Sequence, residues 1–232
     1  MNHFKKHIST VCLTLLITAA CIIGTAPTQC FGQIDRESWQ PPEKILDAIG
    51  VRPGMRVGEA GAGQGYFTFP LARRVGSEGI VFANDISTSS LDVIRDRAVR
   101  EGLGNIKIVM GEVEDPLFPE KNLDMVVMVY VLHMLERPIP FLKNLHSYLK
   151  PGGLLVIIER NTTVERAHSP SFMTNRQILE TVGKTGYELD RTESFLPRDN
   201  IYIYKLLTTS CLQAGEIHRA KDAGDPNKVQ QI

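Results

Sequence analysis

The sequence predicts an α/β fold, a mainly parallel sheet of seven strands with helices on both faces. Three observations carry this. Strand and helix patterns alternate five times across residues 40–208 and are followed by a helix and two strands. The runs of strand length are largely apolar without alternation, as in 123–129 and 154–159, which suits strands covered on both sides. Finally, residues 61–65 place three glycines between the first strand and the helix after it, a tight junction of the kind such sheets use beside a ligand.

Each element has a local cause. Pro42 and Glu43 stand where a helix start prefers them, and Ile45, Leu46 and Ile49 share one face of a helix over 42–49. Arg52-Pro53-Gly54 turns the chain into a strand over 56–60. Residues 66–75 read as helix, and 79–85 as a second strand ending on Asp85. An amphipathic helix over 87–101 leads to a third strand over 105–110. The fourth strand, 123–129, is the most hydrophobic and is therefore expected at the centre of the sheet. Pro138 opens a helix through 149, with Ile139, Leu142, Leu145 and Leu149 at helical spacing. Lys150-Pro151-Gly152-Gly153 then turns the chain into the fifth strand, 154–159. A polar, irregular stretch over 159–170 follows. Thr174 caps a helix over 174–185, and strands over 187–194 and 200–207 close the domain.

The functional reading centres on residues 56–65, Arg-Val-Gly-Glu-Ala-Gly-Ala-Gly-Gln-Gly. Glycines admit positive φ and let a ligand lie on bare backbone. The helix start behind them adds free N–H groups and partial positive charge. This is a cradle for a polar or anionic small molecule, although an ordinary tight turn uses the same residue types. A dinucleotide fingerprint counted from Gly61 requires glycine at position 66, where Tyr66 stands. Asp85, twenty residues after Gly65, can offer two acceptor oxygens to the vicinal hydroxyls of a ribose, or it can cap the following helix.

The order acid-x-Gly-x-Gly-x-Gly from Glu59 to Gly65 resembles motif I of the class I S-adenosylmethionine-dependent methyltransferases, in particular small-molecule enzymes of the type 11-like kind. Asp85, the loop at Gly111 and Leu-Lys-Pro-Gly-Gly at 149–153 are three further landmarks. The resemblance implies a Rossmann-like sheet with an antiparallel last strand, S-adenosylmethionine as cofactor, and methyl transfer to a nucleophilic oxygen, nitrogen, sulfur or carbon. It implies that Gly61, Gly63, Gly65 and nearby N–H groups hold the methionine moiety, Glu59 its ammonium and Asp85 the ribose. The helix over 42–49 would help close the pocket. The adenine would meet Glu112 and Val113, with glutamate in place of the usual aspartate and with Glu114 or Asp115 as substitutes. Tyr130, His133 and His168 are the candidate general bases, needed only if the acceptor must lose a proton. Each also has a purely structural reading. No metal is implied.

Composition narrows the partners. Lysine plus arginine and aspartate plus glutamate number 26 each, so no global field draws the chain to nucleic acid. The Asn/Asp-Pro-Pro-aromatic signature of nucleic-acid amino-methyltransferases is missing, which points to a small-molecule acceptor. Residues 1–32 read as a secretory signal peptide: Lys5 and Lys6 precede an apolar stretch over 11–24, with small residues Cys30 and Gly32 before the expected cleavage. The stretch is shorter than the ~20 residues of a spanning helix. A lipid anchor at Cys21 ranks second because Thr18 stands where a large aliphatic residue is usual. Membrane contact is expected only through this segment.

Removing residues 1–32 leaves 24 basic against 26 acidic side chains and a single cysteine, Cys211, so no disulfide framework is expected. The division is a signal segment 1–32, a covering helix region 33–54, a methyltransferase domain 55–208 and a disordered tail 209–232. Export raises a second functional expectation, a non-catalytic S-adenosylmethionine-binding or interaction domain, because that cofactor is made in the cytoplasm. An NAD-linked oxidoreductase is opposed by the missing sixth-position glycine.

Overall fold

A computed structural model describes residues 36–164 and 172–207. The signal segment 1–32, His168 and the tail 209–232 lie outside the described residues. The chain divides after Arg36, and the second unit, which begins at Glu37, carries the sheet.

Seven strands are present: β1 Arg56–Ala60, β2 Ile80–Asp85, β3 Ile106–Met110, β4 Leu123–Val129, β5 Leu149–Arg160, β6 Tyr187–Glu193 and β7 Asp199–Leu206. The helices are α1 Pro42–Ile49, α2 Thr68–Val75, α3 Thr88–Glu101, α4 Pro138–Asn144 and α5 Asn175–Gly183. The sheet order is β3-β2-β1-β4-β5-β7-β6, with the most hydrophobic strand, β4, in the middle. Only β7 runs against its neighbours. The chain works outward from β1 to β3, then returns to the other side of β1 with β4. In open sheets of this kind, the cleft outside the carboxyl ends of the strands at such a reversal is where ligands bind.

The pleat distributes the core between two layers. On one face Val57, Met125, Val127, Val156 and Ile158 pack with Ile45, Leu46, Leu71, Val75 and Ile94 from α1, α2 and α3. On the other Val126, Met128, Leu155 and Ile157 pack with Leu142 of α4 and Ile178 and Val182 of α5. Successive residues of one strand thus serve opposite layers, which is why these strands carry no polar alternation.

The observed elements differ from the expected ones by a residue or two at their ends, with one larger departure. The helix expected through 149 stops at Asn144, passes through a 3-10 turn at Leu145–Ser147, and gives way to β5 at Leu149. Leu149 pairs with Leu123 of β4, and the Leu123 N–H donates to the Tyr148 carbonyl at 2.8 Å. Sheet pairing there outweighs helical spacing, and Lys150–Gly153 becomes an irregularity inside a strand. Thr174 caps α5 as expected, in a reciprocal capping box with Gln177.

Two buried hydroxyls set an upper pH limit on stability. Tyr187 and Tyr204 are buried with no hydrogen-bond partner for their oxygens among the described residues, and burial raises both pKa values. Above about pH 10 the unfolded tyrosines ionise while the folded ones stay neutral, so the folded state binds more protons and loses stability as pH rises. Thermal melting is expected to fall from about pH 10 upward, by about 1.4 kcal/mol per pH unit for each group. Tyr187→Phe and Tyr204→Phe should flatten that fall; an unchanged alkaline limb would contradict it.

Candidate active site

The carboxyl ends of β1 and β4 meet at the reversal. Gly61, Gly63 and Gly65 all have positive φ, at 76°, 53° and 86°. At Gly61 the reason is contact: a Cβ there would fall well inside van der Waals distance of Val131 Cγ2, with Cγ1 at 3.2 Å and Cβ at 3.3 Å. The glycine loop and the segment after β4 therefore touch backbone to side chain. Glu59, at the end of β1, is 2% exposed and accepts a hydrogen bond from Thr68 Oγ1 at 2.5 Å. Asp85 uses both oxygens. Oδ2 accepts from the Gly63 N–H at 2.8 Å, and Oδ1 accepts from the Ser87 N–H at 2.9 Å. Ser87 itself is the cap of α3, accepting from the Ser90 N–H. The helix cap is thus Ser87 and not Asp85, whose two oxygens tie the glycine loop to the turn after β2.

After β4 the chain bends sharply. Tyr130 has φ of 59°, a left-handed conformation that costs a non-glycine residue about 1–2 kcal/mol. Its hydroxyl donates to Asp199 Oδ1 at 2.5 Å, and its ring stacks on Trp39 with centroids 6.4 Å apart. Asp199 is fully buried and also accepts from Gln40 Nε2 at 2.8 Å. The Gln40 carbonyl in turn accepts from the Tyr66 hydroxyl at 2.6 Å. This network joins the segment before α1, the start of the helix after the glycine loop, and the ends of β4 and β7.

The bend is followed by one 3-10 turn, Leu132–Met134, which brings His133 to Glu159. His133 Nδ1 lies 2.8 Å from Glu159 Oε2 and 3.1 Å from Oε1, and the His133 N–H donates to Oε1 at 3.3 Å. Glu159 is 1% exposed. The Phe172 ring lies 4.8 Å from the His133 ring. Arg160 sits among aromatic faces, with Cζ 4.8 Å from the Trp39 ring, 5.1 Å from Tyr130 and 5.8 Å from Phe172.

The loop after β3 is built around a turn in which Glu112 and Asp115 exchange backbone hydrogen bonds. Glu112 and Val113 are exposed. Glu114 pairs with Arg137, and Asp115 Oδ1 accepts from Tyr148 and from the Leu117 N–H. Those contacts commit Glu114 and Asp115 to holding the loop, which leaves Glu112 and Val113 as the pair displayed on its surface.

Sequence reasoning picked out Glu59, Gly61, Gly63, Gly65, Asp85, Tyr130 and His133, and the structure gathers them along the carboxyl edge of β1, β2 and β4. It missed Glu159, which a rule already applied to Glu59 and Asp85 would have found: an acid closing an apolar strand. Trp39, Arg160, Phe172 and Asp199 carried no local signal, because they meet only through the fold. A separate hollow lined by Arg73, Ser77, Gly102, Asn105 and Lys107 opens at the other edge, by the amino ends of β2 and β3, away from these groups.

Residues 58–157 match the family profile described as a methyltransferase domain. Among curated proteins, the chain is 35% identical over 115 residues to the ubiquinone/menaquinone biosynthesis C-methyltransferase UbiE of Vibrio campbellii, covering 49% of this chain and 44% of that protein. It is 33% identical over 144 residues to UbiE of Teredinibacter turnerae, covering 60% and 57%. The chain thus spans about half the length of the curated relatives it matches. Among solved structures, an S-adenosylmethionine-dependent methyltransferase from Aquifex aeolicus aligns with a TM-score of 0.69 at 24% identity, over 73% of this chain and 92% of that one. The [4+2]-cyclase SpnF aligns with a TM-score of 0.61 at 14% identity, over 72% and 80%. A cyclase on the same framework shows that fold by itself does not choose the chemistry. Residues 58–157 are thus similar in sequence to a methyltransferase domain, and the described unit shares its fold with solved S-adenosylmethionine-dependent methyltransferases.

Proposed function

We propose that this chain is an S-adenosylmethionine-dependent methyltransferase acting on a small-molecule acceptor. The observation that carries it is the 2.8 Å hydrogen bond from the Gly63 N–H to Asp85 Oδ2. It joins the glycine loop after β1 to the acid that ends β2, so the two groups expected to hold one nucleoside ligand stand side by side at the carboxyl edge of the sheet.

The residues fit that ligand. Side-chain-free backbone at Gly61 and Gly63 admits close approach of the methionine moiety, and the buried Glu59 carboxylate offers negative charge to its ammonium. Asp85 retains acceptor capacity for a ribose diol, since each carboxylate oxygen can accept more than one hydrogen bond. Glu112 and Val113 stand on the loop that would meet the adenine. When bound, the cofactor supplies a methyl group already activated on a sulfonium. The protein's part is alignment and exclusion of water. Tyr130, His133 and the aromatic groups beside them lie at the carboxyl edge of β4 and β5, next to Val131, which packs against the glycine loop, and form the acceptor side.

The acceptor itself is not inherited from the relatives named above. The profile match ends at residue 157, before Glu159, Arg160, Phe172 and Asp199. Export of the chain remains part of this proposal, on Lys5, Lys6 and the apolar stretch after them; N-terminal sequencing of the mature protein checks it.

The test is calorimetry of the full chain with S-adenosylmethionine, followed by a screen of small-molecule acceptors with methyl-labelled cofactor. Binding with labelled product is expected. Tight binding without product across the screen would replace the enzyme with a non-catalytic cofactor-binding domain, and no binding would remove both.

A further inference from the structure

Resting on that reading, we propose that His133 and Glu159 are the proton-accepting pair of the acceptor site, and that the acceptor is a planar ring compound whose reacting atom is an ionisable hydroxyl oxygen. A carboxylate can only accept hydrogen bonds, so in the neutral form of His133 the contact of Glu159 with Nδ1, at 2.8 Å, places the ring proton on Nδ1 and the lone pair on Nε2. No described residue hydrogen-bonds to Nε2. Glu159 also accepts from the His133 backbone N–H, so main chain and imidazole are held by one buried carboxylate. An imidazole whose far nitrogen is held by an acid is the arrangement that orients a base toward a reacting proton.

Placement supports the role. Val131, two residues before His133, packs against Gly61, so the pair stands one 3-10 turn from the glycine loop. Its surroundings are aromatic and cationic. Phe172 lies against the His133 ring, Trp39 stacks with Tyr130, and the Arg160 guanidinium faces all three aromatic rings, with Asp199 3.9 Å away as its carboxylate neighbour. Such walls suit a flat ring, and the cation favours the negative charge that grows on a hydroxyl oxygen as its proton leaves. In the step, the acceptor O–H bond breaks and its proton passes to Nε2. The oxygen's electron pair forms the bond to the methyl carbon, and the pair of the broken carbon–sulfur bond stays on sulfur. The imidazolium then returns its proton to solvent. Glu159 is a positioning residue throughout.

The probe is 4-nitrophenol, whose anion is coloured and whose proton needs no methyl transfer to move. With the full chain at a pH one unit below the probe's own pKa, binding is expected to raise the phenolate fraction roughly fivefold over free probe. His133→Gln should bind the probe without that excess. Glu159→Gln should lose most of it, and Glu159→Asp should restore part, which a purely structural acid would not do. Melting curves identify any variant that has failed to fold, and His133→Gln keeps a polar group for Glu159 should the acid variant unfold. If the wild type binds S-adenosylmethionine but shows no phenolate excess, or does not bind the probe, this assignment is wrong while the proposed function stands. An equal excess in His133→Gln overturns it as well. Loss of cofactor binding in the wild type would instead sink the function on which it rests.

Discussion

Gly61→Ala is expected to abolish detectable S-adenosylmethionine binding and to destabilise the fold by roughly 2–5 kcal/mol. The left-handed φ of 76° costs a residue with a Cβ about 1–2 kcal/mol, and overpacking against Val131 adds about 1–3 kcal/mol. Val131 cannot turn aside easily, because Cγ1 and Cβ also lie at 3.2 and 3.3 Å from the new methyl and a β-branched side chain has few rotamers. The loop must move instead, and the N–H groups that would meet the cofactor move with it. Gly63→Ala is the control. A Cβ there meets nothing within 4 Å, so only the backbone term applies, about 1–2 kcal/mol. Denaturant melts of both variants with calorimetry for the cofactor decide the matter. Equal stability losses at the two positions would show that Val131 yields and that the approach of backbone to side chain is not what requires glycine.

Asp85→Ala is expected to weaken S-adenosylmethionine binding by about 1–3 kcal/mol, roughly 5- to 150-fold, through loss of charge-assisted hydrogen bonds. Part of that loss is indirect. Without the carboxylate the Gly63 and Ser87 N–H groups lose their acceptor, so the glycine loop is no longer tied to the end of β2. Asp85→Asn separates the two contributions, because an amide oxygen can still accept one of these bonds but carries no charge toward the ribose. Calorimetry on the three proteins should rank wild type first, Asn second and Ala last. Identical heats from wild type and Asp85→Ala would remove Asp85 from the site.

How much of this was readable beforehand depends on the range of the interaction. Strands β2 and β4 announce themselves because each carries a run of four or more consecutive apolar residues, and that pattern needs no knowledge of the neighbours. The capping box at Thr174 and the proline that opens α4 are equally local. The misplaced boundary at Leu149 shows the opposite case. Its helical spacing with Leu142 and Leu145 is real, yet Leu123 lies alongside it in the sheet, and a ladder partner twenty-six residues away is invisible to periodicity. Glu159 differs: as an acid closing an apolar strand it had a local signal, but its pairing with His133 did not, since nothing in either segment names the other.

By itself the sequence determined the α/β alternation, the glycine loop and the acids that close β1 and β2, since each follows from the conformational freedom, hydrophobicity or charge of residues a few positions apart. Only the tertiary structure decided that Val131 presses on Gly61, that Asp85 ties to Gly63, and that Trp39, Tyr130, His133, Glu159, Arg160 and Asp199 share one edge of the sheet. The physical reason is that the sheet brings together strand ends as far apart in sequence as Ala60 and Asp199, and contacts made across that distance leave no periodic trace along the chain.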